Sequence, residues 1–192
     1  MSHVRFVLCA MLELSSLSSA FAHDGNSIFN LSSNWTDQNG KEFRLDSLRG
    51  RPSVVTMAYT SCQASCPLIV EDMKKIEAHV LKAAKNSPRF VLFSFDSKRD
   101  TPVRLKAFAQ NHKLDFDHWI LLQGNAKVVR ELSAVLGIRY KQDAQGEFDH
   151  SNVISFVDEF GVVRHQQFNI GQNPKKLETE FFELAKAKSD AK

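Results

Sequence analysis

Two cysteines are the residues of this chain whose type and spacing most clearly suggest chemistry. Cys62 and Cys66 are separated by three residues, and Pro67 follows the second cysteine. The apolar run at 54–59 predicts a strand that ends before Cys62, and a proline is favoured in the first turn of a helix. Cys66 is therefore expected at the helix N-cap. A helix N-terminus favours thiolate, the form that attacks disulfides and binds metal ions.

Strand and helix patterns alternate on both sides of the cysteines. The expected segments are strand 54–59, helix 68–84, strand 90–95, helix 103–111, strand 119–122, helix 126–136, strands 153–157 and 162–168, and helix 174–186. Near the start, Asn39-Gly40 predicts a two-residue hairpin turn. A β-α-β unit followed by β-β-α is the thioredoxin arrangement. The sequence thus predicts an α/β, thioredoxin-like fold with an N-terminal β-hairpin extension.

The third candidate residue is His150, which precedes the strand expected at 153–157. It takes the position where thioredoxin-type oxidoreductases usually carry a cis proline facing their cysteines, and no proline occurs between 136 and 153. Two thiolates and an imidazole suit copper, particularly Cu(I). Zinc is compatible with these donor types, but a structural zinc site needs a fourth ligand. A structural disulfide and a redox pair remain alternatives for Cys62 and Cys66.

Three sequence landmarks carry a family resemblance over about residues 30–168. They are Tyr59-Thr60-Ser61-Cys62 with Cys66-Pro67, then Asp96-Ser97-Lys98-Arg99-Asp100-Thr101-Pro102, and finally Asp149-His150-Ser151. With them the chain resembles the Sco (SenC) family of thioredoxin-fold copper chaperones, which assist assembly of the copper site of cytochrome c oxidase. Gln63 and Ser97 stand where that family usually has proline.

The resemblance implies that Cys62, Cys66 and His150 are copper ligands, for Cu(I), Cu(II) or both. It also implies a copper-accepting partner, such as a cytochrome oxidase subunit. The alternative function is a thiol-disulfide reductase that keeps the cysteines of a copper protein reduced, with Cys62 attacking and Cys66 resolving. A sensor domain whose disulfide state is read by another protein is a third possibility. Asp100 and Thr101 are interpreted as caps of the helix that follows.

The N-terminus predicts export from the cytoplasm. Residues 1–22 contain a basic start, a short apolar run and the small-residue site Ala20-Phe21-Ala22, which together are typical of a cleavable signal peptide. We therefore expect a periplasmic or equivalent extracytoplasmic location, a domain at 23–186 and a flexible tail at 187–192. Membrane association would then occur only through a partner or an uncleaved N-terminal segment. Cleavage would also make His23 the N-terminal residue, where its amine and imidazole could chelate Cu(II).

Charge gives no indication of a nucleic-acid partner. The chain has 25 Lys and Arg residues against 22 Asp and Glu residues, for a net charge of +3. The basic residues are spread along the chain and form no basic block, whereas nucleic-acid binding is typically associated with clustered Lys and Arg. We therefore expect no nucleic-acid partner.

Overall fold

The computed structural model describes residues 25–62, 65–83 and 88–171, together with Thr179. Its strands are β1 (Asn34–Asp37), β2 (Glu42–Arg44), β3 (Ser53–Ala58), β4 (Arg89–Ser94), β5 (Trp119–Gln123), β6 (Tyr140–Gln142), β7 (Phe148–His150), β8 (Val153–Val157) and β9 (Val163–Phe168). Its helices are α1 (Cys66–Ala83), α2 (Pro102–Asn111) and α3 (Ala126–Val135). Two short 3-10 turns, Ile28–Asn30 and Leu45–Leu48, flank the first two strands.

A seven-stranded sheet with the order β2-β1-β5-β4-β3-β8-β9 forms the centre of the domain. Strands β3, β4 and β5 are parallel, and β8 pairs antiparallel with β3. Every residue of β3 and β8 is buried, as expected for strands covered on both faces. Helix α1 contributes its apolar stripe to the same core through Ile69, Val70, Met73, Ile76 and Val80. The predicted α/β, thioredoxin-like fold is confirmed.

The N-terminal hairpin is present, but its turn differs from the prediction. Asp37 and Lys41 are joined by a backbone hydrogen bond of 2.9 Å, so the loop has three residues rather than two. The Asp37 carboxylate accepts from the amides of Asn39 and Lys41, which stabilises this longer loop. Only Gly40 takes a positive φ there, at +79°. Since β1 also pairs with β5, the hairpin extends the central sheet.

Prolines mark the first turns of α1 and α2, as predicted, but the N-cap of α1 differs from the prediction. Helix α2 begins at Pro102, and the Thr101 side chain accepts from the Arg104 amide, so the predicted cap is confirmed. Helix α1 begins at Cys66, the residue expected as its N-cap. The carbonyl of Ser65 accepts from the Ile69 amide at 3.0 Å, so Ser65 rather than Cys66 closes the first turn. Cys66 is consequently the first helical residue.

Several predictions concern parts of the chain outside the described residues. These are the signal peptide at 1–22, His23, the tail at 187–192, and the helix at 174–186 apart from Thr179, which is helical. Among the residues that the structure describes, none of the helices combines the length and apolar character needed to cross a membrane.

Candidate metal centre

The structure brings Cys62, Cys66 and His150 together. One donor atom from each residue lies within 4.8 Å of the other two. Cys66 Sγ lies 3.7 Å from His150 Nε2. Metal–donor bonds of about 2.0–2.3 Å place two donors of one ion about 4 Å apart, so only small movements separate this arrangement from coordination. Both cysteines are buried and free of a disulfide.

Three different elements supply these donors. Cys62 lies on the loop after β3, Cys66 opens α1, and His150 ends β7. Strand β7 pairs with β6 in a two-stranded sheet of its own, in which Tyr140 lies opposite His150. The hairpin was not predicted because each strand has only three residues. The residue that could have indicated a turn between these strands is Gly146, which takes a φ of +85° there.

Hydrogen bonds fix the tautomer of His150. Nδ1 lies 3.3 Å from the Ser151 carbonyl oxygen, which can only accept, so Nδ1 carries the proton. Nε2 therefore has the lone pair and faces Cys66 Sγ, as a metal ligand requires. The Ser65 hydroxyl lies 3.3 Å from Nε2 and can donate to it. Burial lowers the pKa of His150 from its usual 6.5, which keeps the imidazole neutral at neutral pH.

The thiol of Cys66 differs from the thiolate expected at a helix N-terminus. Burial raises the pKa of Cys66 above its ordinary value, and a hydrogen bond with Cys62 raises it further. Loss of water around a negative sulfur is the largest cause of this rise. The Cys66 amide instead directs its N–H toward Cys62 Sγ at 3.4 Å. A metal ion that binds Cys66 must therefore displace its proton.

Aromatic rings surround the imidazole on its inner side. The His150 ring lies 4.9 Å from Phe95 and 6.1 Å from Tyr59, measured between ring centroids. Phe148 stacks with Phe95 and meets Tyr59 edge to face. These rings exclude water from one side of the site. A surface cavity of about 480 Å³ lies beside His150 and is lined by Arg139, Tyr140, Lys141, Asp149, His150 and Ser151.

A buried carboxylate holds the chain just before Cys62. Asp100 accepts from the Thr60 amide at 3.0 Å, the Thr60 hydroxyl at 2.6 Å and the Ser94 hydroxyl at 2.6 Å. The interpretation of Asp100 as a helix cap is therefore wrong, because its carboxylate is directed into the core, where the residue is 1% exposed. Asp96 binds Arg99 and does not approach the cysteines as a ligand.

Fold and site together define a class of protein. It is a thioredoxin-like protein in which two buried thiols and a neutral imidazole converge at the end of a central strand. This donor set is typical of sites for soft metal ions.

The chain belongs to the SCO1/SenC family, whose model matches residues 22–185. It is 29% identical over 141 residues to a SCO1 protein homolog of Bacillus subtilis, and the match covers 72% of each chain. A SCO1/SenC family lipoprotein from Bacillus anthracis superposes with a TM-score of 0.73 at 28% identity, over 79% of this chain and 92% of that one. Copper-bound ScoI from Bradyrhizobium japonicum has the same fold, with a TM-score of 0.66 at 24% identity, over 79% and 96% of the two chains.

Proposed function

We propose that this protein binds one copper ion through Cys62 Sγ, Cys66 Sγ and His150 Nε2 and delivers it to another protein. The observation that carries the proposal is the convergence of these three donor atoms within 4.8 Å. Thiolate and imidazole donors suit copper, and Cu(I) in particular. A structural zinc site would use four protein ligands, whereas this group contains three His, Cys, Asp or Glu residues within the described chain. Copper is the cargo of the protein in this proposal.

The acceptor that fits best is an exported copper protein, such as the copper-binding subunit of a cytochrome oxidase. Membership of the SCO1/SenC family supports this choice. The lipoprotein nature of the Bacillus anthracis relative and the signal-like segment at 1–22 support an extracytoplasmic, periplasmic location. The ion would pass to the acceptor by stepwise ligand exchange, and the surface cavity beside His150 gives the acceptor access to that ligand.

A transfer experiment tests this function. Reduced, copper-loaded protein is mixed anaerobically with the metal-free soluble domain of an oxidase copper subunit, and the two proteins are separated. A copper carrier should lose its ion to the acceptor. Retention of copper beside an acceptor that takes free Cu(I) would contradict the proposal.

The second candidate is a thiol-disulfide reductase, which the adjacent Cys62 and Cys66 allow because neither is part of a disulfide. Cys62 thiolate would attack an acceptor disulfide, and Cys66 would then resolve the mixed disulfide, leaving a Cys62–Cys66 disulfide and two acceptor thiols. With the acceptor cysteines first oxidised, a Cys66→Ser variant of a reductase should accumulate the mixed disulfide through Cys62. A copper carrier should mainly lose metal binding.

Copper affinity is expected to rise with pH through the neutral range. Burial raises the pKa of the Cys66 thiol, so copper must displace a proton that the free protein holds. The pKa of His150 is lowered, so this ligand is already neutral and adds little to the pH dependence of copper affinity. Each displaced proton lowers the apparent Kd by about tenfold per pH unit, and Cys66 accounts for at least one. Competition with a Cu(I) chelator between about pH 7 and about pH 8.5 measures the slope, and an affinity independent of pH would contradict the assignment of Cys66.

A further inference from the structure

We propose that Tyr59, Arg99 and Glu147 form a latch that positions His150 for copper, an inference that rests on the proposed function. The need for a latch follows from the topology. His150 ends the β6–β7 hairpin, which is a separate two-stranded sheet with no ladder to the seven-stranded sheet among the described strands. On its other side, His150 joins β8 of the central sheet after two residues, so a latch is needed only on the hairpin side.

The latch engages both carboxylate oxygens of Glu147. The Tyr59 hydroxyl donates to Glu147 Oε2 at 2.8 Å. The Arg99 guanidinium donates through Nη1 to Glu147 Oε1 at 3.3 Å and through Nη2 to the Gly146 carbonyl at 2.5 Å. The turn of the hairpin is thus bound at two consecutive residues. Charge-assisted bonds of this kind are stronger than neutral ones and fix orientation.

The latch joins the two segments that carry the ligands. Tyr59 lies three residues before Cys62, and Glu147 lies three residues before His150. Their hydrogen bond therefore sets the spacing between the cysteine loop and the histidine strand. The Phe148 amide also approaches the Tyr59 hydroxyl, at 3.4 Å, next to the Glu147 contact. A shift of the hairpin would move His150 Nε2 away from Cys66 Sγ.

Arg99 is itself held in place. It forms a short ion pair with Asp96, which is 2% exposed and lies in the loop after β4. Its guanidinium carbon also lies 5.8 Å from the Tyr59 ring centroid and 6.0 Å from that of Phe148. Cation–π contacts of this length add to the ion pairs. The latch therefore connects the loop after β4 to the β6–β7 hairpin.

The test compares Glu147→Ala with Glu131→Ala, which removes the carboxylate of an ion pair with Lys127 on α3. Loss of a residue that orients a metal ligand typically weakens affinity by 10–100-fold, and we expect about tenfold weaker Cu(I) binding for Glu147→Ala. The control should match the parent. In a His150→Ala background, Glu147→Ala should change affinity by less than about twofold, because the positioned ligand is gone. Equal losses in both backgrounds would overturn the latch.

A second readout needs no copper. Amide hydrogen exchange across residues 140–150 of the metal-free protein should be faster in Glu147→Ala than in the parent, because the hairpin opens locally more often. Unchanged exchange would overturn the latch even if copper binding is normal. A parent that binds no copper would overturn the proposed function alone, since the exchange experiment would still show whether the latch holds the hairpin.

Discussion

Replacing Cys66 with alanine is expected to weaken Cu(I) binding by more than about a hundredfold. Loss of a residue that only orients a metal ligand costs up to about a hundredfold in affinity. Cys66 is itself a proposed ligand, so its loss should cost more. Its sulfur lies 3.7 Å from His150 Nε2, and its loss leaves only the Cys62 thiol and the His150 imidazole as donors. Competition titration of the reduced variant with a Cu(I) chelator gives the affinity.

A matched control separates ligand loss from damage to the fold. Ser133→Ala also removes the terminal heavy atom of a small buried side chain, in α3, and should keep the affinity of the parent. Thermal unfolding of both metal-free variants checks that each is folded at the temperature of the titration. If folded Cys66→Ala binds Cu(I) within about tenfold of the parent, Cys66 is not a ligand.

Asp100→Ala should lower the free energy of unfolding by about 3 kcal/mol. Its carboxylate accepts three hydrogen bonds from Thr60 and Ser94 inside the core. Alanine leaves these buried donors without their acceptor, and each unsatisfied group costs about 1–3 kcal/mol. Urea denaturation measures the loss, provided that the slope against urea concentration stays the same.

The comparison for this effect is Asp117→Ala. Asp117 is exposed and lies in the loop before β5, so its replacement should change stability by less than about 0.5 kcal/mol. Equal stability of the two variants would show that the Asp100 network contributes nothing. Because Thr60 lies two residues before Cys62, we also expect the Asp100 variant to hold the cysteine loop less tightly.

The sequence predicted the elements whose patterns are long and periodic. The buried runs of β3, β4 and β8 and the stripe of α1 have the apolar spacing from which strands and helices can be inferred. The position of His150 opposite the cysteines could also be inferred, because the order of strands places the residue before β8 next to the end of β3. These predictions depend on local pattern and on topology.

Other features depend on contacts that local sequence does not encode. The charge state of Cys66 follows from its burial, which opposes the helix N-terminus and reverses the thiolate prediction. The direction of the Asp100 carboxylate depends on Thr60, 40 residues away in sequence, as well as on Ser94 at the end of β4. The role of Glu147 depends on Tyr59, 88 residues away. Side-chain contacts between remote segments were therefore the part that the sequence could not supply.

The central claim, that Cys62, Cys66 and His150 together hold one copper ion, is tested most directly by loading the reduced protein with Cu(I) anaerobically. Bound copper per chain and the copper X-ray absorption spectrum are then measured for the parent and for His150→Ala. We predict one copper per parent chain with two sulfur ligands and one nitrogen ligand, and loss of the nitrogen ligand with weaker binding in His150→Ala. A parent that retains no copper, or a spectrum unchanged by His150→Ala, would contradict the three-ligand site.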